Sequence, residues 1–331
     1  MKRREFMTLL SGAAAAAPLA ARAQQPAGKV ARLGVLMSTD ENDPVAQGRV
    51  AAFRQGLAEF GWVEGKNLKI EWRWSGGDIA RVRDYAAELV QLAPDVLLAN
   101  GTPAIAALKQ DTATIPIVFA VVNDPVAQGI IASMAHPGGN ITGFSFVEYS
   151  MVGKSLEMLK QIAPATVRVA VMFNPDTYPY YKIHLQSFEG VAKALSLELT
   201  GTPVHNAQEI DDAVARLGRE PGSALLVTPD PFLLVHRAAA IRAAAQYRVP
   251  ATYSYRQNVG EGGLTSYGAD ANDIFRRSAS YIDRILKGTR PADLPAQAPV
   301  KFEIAINLKA AKALGLDVSP NLLALADEVI E

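Results

Sequence analysis

The sequence predicts an α/β fold of two Rossmann-like lobes, each built on a parallel sheet. Short apolar β runs alternate with amphipathic helical segments almost to the C-terminus. Several of these runs are continuously apolar, as strands covered on both faces are. The pattern pauses at one turn-rich stretch and then restarts. Strands separated by helices imply right-handed crossovers and parallel pairing, and 331 residues is about two domains' worth of chain.

Taken in order, ARLGVLMS (Ala31 to Ser38) reads as the first strand. Ala46, Val50, Phe53, Leu57 and Phe60 follow at the spacing of one helix face. NLKIEWRW alternates as a strand, Val82, Ala86 and Leu89 mark the next helix, and DVLLAN is a continuous apolar strand. PIVFAVV and NITGFSF complete the first half. HPGGNITGF is rich in turn residues, which places the first crossing between lobes near Gly143 to Tyr149.

The same grammar restarts with a helix carrying Val152, Leu156 and Leu159, then VRVAVMF, then a helix with Leu185, Phe188 and Leu195. LELTGTPV, SALLVTPD and VPATYSY follow as strands, and a helix is expected from about Ala271 to Lys287. GTRPADLPAQAP then interrupts with three prolines before a last strand, VKFEIAIN, and a C-terminal helix. A lone helix followed by a proline-rich connector suggests that the chain returns to the first lobe and crosses again. The expected division is 30–145 plus 268–297 for the N-terminal lobe and 146–267 plus 298–331 for the C-terminal lobe.

The first 25 residues read as an address rather than an element of the fold. Lys2, Arg3 and Arg4 precede an alanine-rich run that contains Pro18 and is too short to span a bilayer. Ala21 and Ala23 supply the small residues of a cleavage site, so residues 1–23 are expected to be an export signal. Arg3-Arg4-Glu5-Phe6-Met7 also resembles the twin-arginine signal. With no cysteine to carry a lipid, the mature chain is expected to be soluble in the periplasm and not lipid-anchored. Removing the signal takes four basic residues and Glu5 from 33 of each sign, leaving 29 basic and 32 acidic residues, a net of about −3. Such a balance, without a basic stripe, argues against nucleic acid as a partner.

In open parallel sheets, ligands sit outside the carboxyl ends of the strands, so the strand-end residues are the candidates for binding. Ser38 ends the first strand, and Thr102 precedes Pro103, a capping hydroxyl beside a helix whose first N–H groups could face an acidic group. Asp124 and Asn174 end two further strands, each directly before a proline. Asp230, in TPDPF, could pair with an ammonium group or cap a helix. Tyr253 and Tyr267 lie where an apolar ligand body could be enclosed. Tyr178, Tyr180 and Tyr181 read as a surface loop in preference to a second wall.

Catalytic chemistry has little support. His136, His184, His205 and His236 occur singly, outside any zinc-binding spacing. No G-x-S-x-G elbow, G-x-G-x-x-G turn or phosphate loop occurs. Neither an enzyme activity, a metal nor a cofactor is expected.

The succession GTPAIAAL, PIVFAVVNDPVAQG, HPGGNITGFS, GGLTSYG with a following Asp, LKGTRPADLP and the tail INLKAAKALGLDVSPNLLALADEVIE resembles the ABC-transporter substrate-binding proteins of the tryptophan/tyrosine-type family. The resemblance covers essentially all of the chain from about Val30. It implies a type I periplasmic binding fold, two lobes joined by a three-strand hinge that closes on a small-molecule ligand. It further implies a monomer that captures an amino acid or related small carboxylate and delivers it to a membrane permease. A ligand-sensing receptor, or a hydrolytic enzyme on the same scaffold, is the alternative.

Overall fold

The computed structural model describes residues 30–146 and 149–331. The expected signal, residues 1–23, lies outside them, as do Val147 and Glu148 of the first expected crossing.

The first lobe runs β1 (Ala31–Met37), α1 (Pro44–Glu59), β2 (Leu68–Trp74), α2 (Ile79–Gln91), β3 (Val96–Asn100), α3 (Gly101–Asp111), β4 (Ile117–Val122) and β5 (Ile141–Ser145). Its five strands pair in parallel in the order β2-β1-β3-β4-β5. Every residue of β3 and β4 is buried, which accounts for their unbroken apolar runs. Helices start where acidic side chains accept the first free N–H groups: Asp43 from Val45 at 2.8 Å, Asp78 from Ala80 at 2.8 Å. The apolar stripe of α1 is buried as its spacing predicts, except that Phe60 lies past the helix end and is exposed.

The second lobe contains α4 (Tyr149–Ile162), β6 (Arg168–Phe173), α5 (Tyr181–Ala194), β7 (Glu198–Pro203), α6 (Ala207–Leu217), β8 (Ser223–Val227), α7 (Pro231–Val235), α8 (Arg237–Gln246), β9 (Ala251–Tyr253), α9 (Arg256–Gly260) and β10 (Thr265–Ala269). Next comes α10 (Ala271–Leu286), which packs on α1 of the first lobe, with Phe53 and Phe275 edge to face at 6.4 Å between centroids. A 3₁₀ turn (Pro291–Asp293) and a bridge between Gln297 and Phe144 follow on the same side. The chain ends with β11 (Phe302–Asn307), α11 (Leu308–Leu314), α12 (Pro320–Leu323) and β12 (Glu328–Ile330).

The second sheet has the order β12-β11-β10-β9-β8-β6-β7. It departs from the purely parallel expectation at one pair: β11 runs antiparallel to β10. The chain leaves this sheet after β10, passes through α10, and comes back along the neighbouring track in the opposite direction. The short edge strand β12 was hidden in ADEVIE, which carries too few residues for a periodicity signal. Among the described residues no helix is long and apolar enough to cross a membrane.

Candidate functional site

The carboxyl ends of β1, β3 and β4 approach those of β6, β8 and β9, and two cavities converge there on Pro229. The first, of about 10 Å³, is bordered mainly by polar first-lobe residues: Ser38, Thr39, Arg49, Asn100, Thr102 and Asn123, with Tyr255 from the other lobe. The second, of about 20 Å³, lies in the second lobe and is walled by Met151, Val152, Tyr178, Phe188, Tyr253 and Tyr267. With the lobes as they stand, each has room for about one water molecule.

Backbone strain marks the polar chamber. Val121 has φ +60, a conformation a β-branched residue rarely adopts, and the β4/β5 register shifts between Ala120 and Val122. This irregularity precedes Asn123, whose Nδ2 donates across the seam to the Pro229 carbonyl at 3.2 Å while its Oδ1 has no partner. Thr39 Oγ1 and two nitrogens of Arg49, Nε and Nη2, are likewise buried without partners. Arg49 is 1% exposed, and its guanidinium lies 5.3 Å from the centroid of the Tyr255 ring. Burial raises the Tyr255 phenol, opposed by the Arg49 cation beside it.

Ser38 and Thr102 fall in this chamber together. Ser38 Oγ donates to the Asn100 carbonyl at 2.5 Å. Thr102 is inside the first turn of α3; the N-cap is Asn100, whose side chain makes no capping bond. The Thr102 hydroxyl instead accepts from Gln128 Nε2 at 3.4 Å. The capping role expected of Thr102 is thereby corrected: Gly101, at φ +81, starts the helix two residues earlier than a proline-based count suggests. Asp124 opens a turn and no helix, accepting from the Ala127 N–H at 3.0 Å.

Asn174 and Asp230 form a cluster of their own beneath the second lobe's strand ends. Asp230 is wholly buried and caps α7, accepting from the N–H of Phe232 at 2.8 Å and of Asn174 at 2.6 Å, and from the Thr177 hydroxyl. Asn174 Oδ1 in turn accepts from the N–H groups of Asp176 and Thr177. Desolvation pushes the Asp230 carboxyl up to about 6, against the pull of these hydrogen bonds. Of the two roles the sequence leaves open for Asp230, the structure shows the cap.

Tyr253 and Tyr267 wall the aromatic chamber, and the buried Tyr253 hydroxyl has no partner, nor has Thr252 Oγ1 beside it. Burial raises the Tyr253 phenol above its ordinary range. Of the tyrosines of TYPYY, Tyr180 is half-buried in a loop, and the other two turn inward. Tyr178 is buried in the chamber wall beside His184, and Tyr181 stacks on Phe173 at 4.0 Å between centroids. The apolar interior offered those rings more than water could, a gain no local pattern records.

The sequence had not drawn attention to Arg49 or Thr39. Arg49 alone carried a signal: it lies three residues after Ala46 and four before Phe53, inside the apolar stripe of α1 where a cation is out of place.

Two α/β lobes with strand ends facing across a polar and an aromatic chamber define a bilobal ligand-binding protein. Residues 35–330 match the family of ABC transporter substrate binding proteins, and the chain belongs to that family. A tyrosine-binding protein of Clostridioides difficile strain R20291 is 26% identical over 264 residues, 80% of this chain and 75% of that protein. Among solved structures, a conserved domain protein of Vibrio cholerae superposes with TM-score 0.84 and 27% identity, over 91% of this chain and all of that one. A domain from Streptococcus pneumoniae in complex with L-Trp gives TM-score 0.84 and 25% identity, over 91% of this chain and 99% of that one. The fold is that of type I periplasmic binding proteins.

Proposed function

We propose that this substrate-binding protein is exported to the periplasm, captures an amino acid with an aromatic side chain between its lobes, and delivers it to the permease of an importer. The observation that carries this is the convergence on Pro229 of a chamber rich in unpartnered polar atoms and a chamber walled by aromatic rings. An amino acid has the matching division into a charged head and a side chain. The relative named for tyrosine and the structural neighbour holding L-Trp support the same ligand class.

Ser38 and Thr102 contribute to the polar end and Tyr253 and Tyr267 to the apolar body, whereas Asp230 and Asn174 shape the second lobe's rim. Recognition divided between lobes lets a bridging ligand favour the closed form. The lobes, 30–145 plus 268–297 and 146–267 plus 298–331, would rotate about the segments Gly143 to Tyr149, Tyr253 to Tyr267 and Ala292 to Lys301.

Calorimetry of the mature chain with L-tyrosine, L-tryptophan and L-leucine tests the ligand class. Binding of the aromatic pair with heat and a saturable isotherm is expected; indifference to both would remove the proposal. Small-angle scattering with the bound ligand should show compaction. Intact-mass measurement of periplasmic protein should show loss of residues 1–23.

A further inference from the structure

We infer that the Arg49 guanidinium anchors the ligand's carboxylate. The inference rests on the function proposed above and names the group that recognises the acidic end.

A guanidinium is a permanent cation, and burying one without a counter-charge is costly. Arg49 is 1% exposed and forms no ion pair among the described residues. Tyr255 lies beside it, with its ring centroid 5.3 Å from the guanidinium and its phenol felt by the cation. The two nitrogens left without partners, Nε and Nη2, form one edge of the planar fork. That edge presents two parallel N–H groups, the arrangement that a carboxylate accepts in a bidentate pair.

The surroundings favour an anion at that edge. The first turn of α3 reaches the same cavity with no side-chain cap, so its backbone donors and dipole act in the same sense as Arg49. Among the described residues no carboxylate lines the chamber. Asp230, the nearest acid in sequence to the shared Pro229, has its oxygens occupied by Asn174, Thr177 and Phe232. Asn123 Oδ1 is an acceptor without a partner in the same chamber, suited to the ammonium of an α-amino acid.

The test compares the wild type with Arg49→Met, which keeps the volume of the stem and removes the charge, and with Arg49→Lys, which keeps the charge and loses the fork. L-tyrosine, L-tryptophan and tyramine are the probes. Arg49→Met is expected to bind both amino acids at least about 30-fold more weakly, the lower end for removing one partner of a buried charge pair. Arg49→Lys should fall between, and tyramine should not bind the wild type. Without ligand, Arg49→Met should melt at or above the wild-type temperature, because it deletes an unpaired buried charge; a purely structural Arg49 would make it melt lower. Unchanged affinity in Arg49→Met, or tyramine binding as well as L-tyrosine, overturns the inference. If neither amino acid binds the wild type, the proposed ligand class fails, and Arg49 is judged with 3-phenylpropionate and succinate. A thermal shift present in wild type and absent in Arg49→Met sustains the role. An equal shift in both, or none in either, overturns it.

Discussion

Arg237, on α8 of the second lobe, donates from Nη1 to Asp43 Oδ2 at 2.6 Å, and Asp43 is the residue that caps α1 of the first lobe. Both side chains are about nine-tenths covered, and Arg237 Nε also donates to Glu261 at 2.8 Å. One carboxylate thereby starts a helix with Oδ1 and ties the lobes together with Oδ2.

Arg237→Met should therefore weaken the approach of the lobes more than the fold of either one. Truncating one partner of a desolvated, hydrogen-bonded charge pair across an interface costs about 2 kcal/mol or more. The expected outcome is weaker ligand binding through faster release, read by stopped-flow, with circular dichroism unchanged. A dissociation rate equal to wild type would show that the pair does not hold the closed arrangement.

The buried Asp230 makes stability depend on pH in an uncommon sense. Its carboxyl keeps its proton up to about pH 6 in the fold, whereas an unfolded Asp releases it near pH 4. Between these values the native state binds more protons, so raising the pH destabilises it. The contribution is fully present below about pH 4 and is lost as pH rises through about 6, some 3 kcal/mol at 1.36 kcal/mol per pH unit. Asp230→Asn removes the titration. Urea melts from pH 4 to 8 should show the stability difference, wild type minus variant, declining across that window; a difference independent of pH contradicts the shift.

Tyr253→Phe separates ligand contact from fold. The hydroxyl is buried without a partner, and removing such a group leaves stability unchanged or raises it by about 1 kcal/mol. In the aromatic chamber the same change should weaken a ligand with a polar group at its far end, L-tyrosine, and spare L-phenylalanine. Equal losses for the two amino acids in paired titrations would place the hydroxyl outside the contact.

Gly268, beside Tyr267 in β10, is fixed by close approach. A Cβ there would lie 1.9 Å from the Ser254 carbonyl oxygen, and backbone cannot swing aside as a side chain can. Gly268→Ala should cost about 1 to 3 kcal/mol, the range for overpacking. Gly260, where a Cβ would meet nothing, is the control and should tolerate alanine. Chemical denaturation of the two variants gives the comparison directly.

Periodicity and punctuation determined the elements. The stripe from Ala46 to Leu57, the buried runs DVLLAN and PIVFAVV, and the turn-rich HPGGNITGF are local features, so two α/β lobes were legible before any coordinates, and with them the strand ends at which a candidate site was sought. The placement of Ser38 and Thr102 in one chamber followed from the same rule about strand ends. Tertiary structure decided the rest, because it depends on partners far apart in the chain. The Asp230 carboxyl accepts from the Asn174 N–H, 56 positions away, and from Thr177 and Phe232, so its oxygens are occupied within its own lobe. Tyr178 is drawn into an apolar wall from a segment with the composition of a loop. Arg49 looks like one more surface cation on a helix until α1 is packed, and only then is its guanidinium enclosed with one edge unpaired. Burial turns a residue type into a function here, and burial is a property of the assembled lobes that no single stretch of sequence contains.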